Sequence, residues 1–127
     1  MKKDKLKFFL IKGTVYPFDV LVTTANDEEV FNYIENNKKY KLNDEEKSLL
    51  EIHGNGKTTM LLGGQVIVRL KKAKTSIAIE LDVLSHELNH AVFFVFDRVG
   101  IKHTVDSDEA FCYYQQYLLK EVLKLID

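Results

Sequence analysis

Cysteine is nearly absent: Cys112 is the single one in 127 residues. No disulfide can form within the chain, and the thiol falls in an apolar helical pattern where burial is expected, in keeping with a reducing compartment. Excess charge is missing too, with a formal net charge of −1 and 29% charged residues. That leaves no basic field for nucleic acid and no acidic tail to solvate a partner. The longest hydrophobic run outside the amino-terminal segment, AVFFVF at residues 91–96, is far below the ~18 residues of a membrane span, so no membrane partner is expected. The amino-terminal MKKDKLKFFLIKG sets lysines before apolar residues. FFLI is nonetheless too short for the roughly 7–15-residue apolar region of a secretion signal, and it reads as a strand of a cytosolic protein. The chain has no Pro/Gly/Ser-rich linker, low-complexity tract or internal repeat, which makes residues 1–127 one domain and confines function to a local site.

What is present is a mixed order of elements. Residues 6–12 (LKFFLIK) and 18–24 (FDVLVTT) are rich in aromatic and β-branched types and flank Gly13 and Pro17, which predicts two strands, expected antiparallel. Asn26 or Asp27 can cap a helix whose apolar stripe is Val30, Phe31 and Ile34. Asn43 can open a second, short helix with Glu46 as its reciprocal capping partner, ending near His53 and Gly54. The GKT at residues 56–58 invites comparison with a phosphate-binding loop. That motif needs a glycine where Glu51 stands and a helix where an alternating apolar segment follows. Residues 58–62 and 65–70 instead predict two strands joined at Gly63-Gly64, since paired glycines reach the positive φ angles of a tight hairpin.

From Ser76 the period lengthens. Leu84, Leu88, Ala91, Val92, Val95, Phe96 and Val99 recur at helical spacing up to Gly100, predicting a helix of some twenty residues. It is apolar nearly all round between 91 and 96, so it is expected inside the domain beneath a sheet. A final helix is predicted over 109–126, capped by Ser107 or Asp108. The class is α+β, with a small, mostly antiparallel sheet.

The chemistry concentrates in VLSHELNHAV, residues 83–92. Positions four apart on a helix differ by about 40° of rotation, so His86 and His90 leave one face a turn apart and can reach one cation. Glu87 stands on the adjoining edge, where its carboxylate can hydrogen-bond a metal-bound water without taking a coordination position. A shuffle of this composition contains H-E-x-x-H roughly 1% of the time, so the surroundings must carry the argument. Two imidazoles and a carboxylate inside an apolar helix are costly to bury without a strong partner. Glu109, 19 residues after His90 at the start of the last helix, is available to a metal as well.

HELNH followed by DEAFCYY resembles the gluzincin clan of zinc metallopeptidases, and the order of strands, edge hairpin, motif helix and glutamate helix resembles its smallest members and small HExxH proteins of bacterial and phage genomes. The resemblance covers about residues 58–118. A metzincin continuation would need glycine at 93 and histidine at 96, where Phe93 and Phe96 stand. The resemblance implies a zincin-like fold in which His86, His90 and Glu109 hold Zn²⁺ and water takes the fourth position. Zinc would lower that water's pKa toward ~7, and Glu87 would take its proton, direct its attack on a peptide carbonyl and return the proton to the leaving amine. A peptide or protein substrate would pair with an exposed strand, for which the candidates are Thr58, Thr59, Met60, Leu61 and Leu62.

Two departures open alternatives. Asp108 replaces the asparagine common before the ligand glutamate, and Tyr113 replaces an aspartate that orients a ligand histidine. Asp82 or Asp106 could orient an imidazole instead, Tyr113 or His103 could stabilise an oxyanion, and Asp108 could replace Glu109 as ligand. His53 has no assigned role. The alternative function is a catalytically inactive zincin-like binding or assembly protein, for example a phage structural or accessory component, because so short a chain has little left to wall a deep cleft.

Overall fold

The computed structural model describes residues 7–38, 41–72 and 79–125. Its elements are β1 (Phe8–Ile11), β2 (Val20–Thr23), α1 (Asp27–Lys38), α2 (Asp44–Leu50), β3 (Gly56–Met60), β4 (Val66–Leu70), α3 (Leu81–Arg98) and α4 (Asp108–Leu123). The strands form one sheet in the order β1-β2-β4-β3. β1 and β2 pair antiparallel, as expected, and so do β3 and β4. The central pairing, β2 with β4, is parallel, with Val20 opposite Val66, so the sheet is mixed. Parallel neighbours need a long crossover, which here runs through α1, α2 and β3.

β2 and β4 are buried along their whole lengths, which is why they read as continuous VLV and VIV runs instead of alternating. Val20, Val22, Val66, Val68 and Leu70 face a cluster built with α3 and α4. Leu21 and Ile67 face a second cluster built with α1 and α2. The result is an α+β fold of three layers, with the sheet between two helix pairs.

The caps form where the side chains allow. Asn26 and Glu29 exchange side-chain-to-backbone hydrogen bonds of 2.8 and 3.1 Å at the start of α1. Asn43 and Glu46 do the same for α2 at 2.7 and 3.1 Å. α2 ends at Leu50, short of His53 and Gly54, and β3 opens at Gly56, two residues earlier than the alternation predicts. Leu61 and Leu62 fall outside the strand. The hairpin closes through a three-residue loop in which Leu61 N–H donates to Gln65 O at 2.9 Å and Gly64 N–H to Leu61 O at 2.8 Å. Only Gly64, at φ 96°, uses the left-handed region, as a turn followed by one such residue requires. Gly100, at φ 85°, follows α3 as predicted, whereas the predicted start at Ser76 lies outside the described residues. α4 has Ser107 at its N-cap, with no capping bond from the side chain; the hydroxyl donates to Lys102 O at 2.5 Å.

α3 is not buried all round. Leu84, Glu87, Leu88, Ala91, Val92, Val95 and Phe96 form its buried stripe, while Phe93 and Phe94 are 44% and 37% exposed. The helix contacts the sheet on one side and α4 on another, which leaves its remaining surface to solvent. No helix among the described residues is long and apolar enough to cross a membrane.

The α1/α2 layer contains one buried cation that periodicity does not anticipate. Arg69 points from β4 into that layer, where its guanidinium donates to the Asp27 carboxylate, to Leu50 O at 2.9 Å and to Ala25 O at 2.6 Å. One side chain thereby ties the start of α1 and the end of α2 to the sheet. Burial raises the Asp27 carboxyl pKa, but the hydrogen bond and charge of Arg69 outweigh it and hold the group below its usual value.

Candidate active site

His86 and His90 project from the exposed side of α3, with their Nε2 atoms 3.3 Å apart and their rings inclined at 76°. Two nitrogens each ~2.0–2.1 Å from one tetrahedral cation stand about 3.3–3.4 Å apart. The pair therefore has the separation of two tetrahedral ligands. The same distance suits an N–H···N hydrogen bond when one Nε2 carries a proton, so a metal would displace that proton.

The expected burial of the whole motif is corrected here. Both imidazoles are exposed, and Glu87 is the buried member at 7% exposure. The reason is angular: Glu87 belongs to the stripe of Leu84, Leu88 and Ala91 that faces the sheet, and the histidines lie just outside it. Glu87 sits where α3 crosses β3. The Thr58 hydroxyl approaches its Oε1 at 2.7 Å and its backbone oxygen at 3.0 Å. Gly56 lies so close that an added Cβ would stand 2.8 Å from Glu87 Cγ, 2.9 Å from Val83 Cγ1 and 3.1 Å from Glu87 Oε2. Asn55, Gly56, Asp82, Val83, His86 and Glu87 line an open depression of about 330 Å³. A second hollow of about 350 Å³, bordered by Lys71, Lys72 and Glu80, shares Asn55, Asp82 and Val83 with it.

β3 is an edge strand, so the candidate substrate strand is at an edge, with Thr58, Thr59 and Met60 inside it and Leu61 and Leu62 beyond its end. Its side chains divide between the layers: Thr58 bonds Glu87 of α3, and Thr59 donates to Leu49 O of α2 at 3.0 Å.

The remaining candidates scatter. α4 runs antiparallel to α3, with Gln115 donating to Ser85 O at 3.1 Å and the Phe111 ring 4.9 Å from that of Phe93. Glu109, near the start of α4, is exposed. Among the described residues, however, no three His, Cys, Asp or Glu side chains are grouped so as to hold a metal ion. Asp108 is bonded to His103 at 2.7 Å, and His103 packs against Phe93 and Phe111. Asp82 borders the depression without a hydrogen bond to either imidazole, and Asp106 is exposed. Tyr113, 66% exposed, lines a different hollow with Tyr16, Tyr114 and Tyr117; burial and the neighbouring Tyr117 and Tyr16 push the Tyr114 hydroxyl up to about 12. Cys112 is exposed, against expectation, because the buried stripe of α4 runs through Phe111, Leu118 and Val122.

Sequence reasoning missed Thr58 and Gly56 as neighbours of Glu87. The only signal was their place in a strand just before the motif helix, and the register between the two follows from tertiary packing. Compared with known protein families, curated proteins and solved structures, the chain matches none of them.

Proposed function

We propose that the protein is a zinc-dependent peptidase of zincin-like, gluzincin type. The observation that carries this reading is the paired His86 and His90 Nε2 atoms at 3.3 Å beside the buried Glu87. His86 and His90 would hold the metal, and the resemblance makes Glu109 the third ligand, although the three side chains are not grouped among the described residues. Bound there, zinc would supply Lewis-acid chemistry. Glu87 would act as the base, accepting a proton from the attacking water and returning it to the departing amine. β3 receives the substrate backbone as an added strand, and the open depression beside Glu87 admits the scissile bond.

The test is metal analysis together with cleavage of a denatured protein substrate. The wild type should carry one zinc, lost in His86→Ala and reduced in Glu109→Ala, while Glu87→Gln should keep the metal and lose cleavage. Absence of zinc from the wild type rejects the reading, and so does undiminished cleavage by Glu87→Gln. The openness of the depression and the exposure of both imidazoles favour one second reading, a zincin-like protein that binds metal and partner without cutting. It predicts zinc in the wild type and no cleavage.

A further inference from the structure

Glu87 is a buried carboxylate with no cation beside it among the described residues, and the Thr58 hydroxyl is its side-chain partner there. A hydroxyl has one proton to give. The two acceptors in reach are a carboxylate oxygen at 2.7 Å and a backbone oxygen at 3.0 Å, and the shorter contact marks the carboxylate oxygen as the one that accepts it. Oε1 is thereby engaged. Oε2 lies on the Gly56 side, 3.1 Å from where a Cβ would be, and Gly56 and Glu87 border the same depression as His86.

We infer that Thr58 is a positioning residue for the base. Its hydroxyl fixes Oε1, so that Oε2 is the oxygen that takes the proton, and the missing Cβ of Gly56 keeps the space beside Oε2 open. This rests on the peptidase reading above. It also adds a coupling to that reading, because Thr58 lies in the middle of the edge strand that would receive the substrate backbone. The strand that holds the peptide also holds the base.

The experiment compares full-length wild type with Thr58→Val, Thr58→Ser and Gly56→Ala, each first shown to be folded and to bind zinc as the wild type does. ¹³C relaxation of the Glu87 side chain in the zinc-free proteins should show an ordered carboxylate in wild type and Thr58→Ser. It should show a disordered one in Thr58→Val and a displaced one in Gly56→Ala. Since a reacting group misplaced by about 1 Å costs on the order of 100-fold, kcat should fall about 10- to 100-fold in Thr58→Val and Gly56→Ala at unchanged KM. Thr58→Ser should recover most of it. An equally ordered Glu87 in Thr58→Val overturns the inference, as does a Thr58→Ser enzyme as slow as Thr58→Val. A wild type that cuts nothing rejects the peptidase reading alone, and the relaxation measurement still decides whether Thr58 holds Glu87.

Discussion

Arg69 and Glu87 enter the two helix-covered faces of one sheet, and both are buried, at 2% and 7% exposure. They are held in opposite ways. Arg69 has a carboxylate and two carbonyls around it, supplied by Asp27, Ala25 and Leu50, and only its Nε lacks a partner among the described residues. Among the described residues Glu87 has the Thr58 hydroxyl as its side-chain partner, and it borders an open depression. A buried charge without a paired opposite charge costs free energy. The charge with an ionic partner therefore belongs to the architecture, and the one without a cation among the described residues has a capacity left over for a ligand.

The sharpest way to break that comparison is to delete the ion-paired charge. Arg69→Ala leaves the carbonyls of Ala25 and Leu50 and the Asp27 carboxylate without their donor, and leaves a cavity between α1, α2 and the sheet. Truncating a large buried side chain to alanine costs about 2–5 kcal/mol, and the carbonyls left without a donor add to it, so the urea midpoint should fall steeply. A loss under about 1 kcal/mol would show that the guanidinium is not what ties the α1/α2 layer down.

Asp27→Asn tests the same clamp more gently. The Asp27 side chain is 43% exposed, so the hydrogen bond to a charged group is discounted for solvent, to about 1–2 kcal/mol at neutral pH. Its pH dependence has a definite sign. The folded-state pKa of Asp27 lies below the usual carboxylate value, so its contribution is complete above the unfolded pKa and is lost as pH falls through the folded one. The difference in unfolding free energy between wild type and Asp27→Asn should hold from pH 7 to 5 and shrink below about pH 4. A gap that stays constant to pH 3 would remove Asp27 from the clamp.

Glu87→Gln should behave unlike either. The amide keeps an oxygen for the Thr58 hydroxyl and removes a carboxylate that has no cation beside it among the described residues, so stability should be unchanged or rise by up to about 1 kcal/mol. A loss of Arg69 size would mean that Glu87 is structural, and the contrast between the two faces would collapse.

What could be read from the sequence follows the range of the forces involved. The caps of α1 and α2, Gly100 after α3 and the one-turn spacing of His86 and His90 are local, and each is where its residues predict. The parallel pairing of β2 with β4 depends on a crossover of more than forty residues, and no local pattern encodes it. The stripe of α3 is legible as a period. Which residues stand outside it depends on α4 as a second neighbour, so the histidines expected in the core lie at its edge and Glu87 lies within. The contact of Thr58 with Glu87 spans 29 residues and follows from how α3 crosses the sheet edge. Glu109 was identified by spacing and resemblance alone, and the antiparallel crossing of α4 over α3 brings its helix alongside without grouping three ligands.

The smallest expected change separates the histidines from the glutamate between them. His86→Ala and His90→Ala remove exposed rings that contact only each other among the hydrogen bonds and ring pairs described, and substitutions at such surface positions stay within about 0.5 kcal/mol. Stability without metal should therefore be the same in wild type and both variants. Added zinc should raise the thermal midpoint of the wild type, since a ligand that binds only the folded state stabilises it by mass action, and should leave either variant where it was. If a variant is destabilised without metal, the rings are part of the packing and their 3.3 Å approach is an ordinary hydrogen bond. If zinc shifts all three proteins alike, it binds elsewhere, and the two imidazoles lose their claim to be ligands even though their spacing suits the ion.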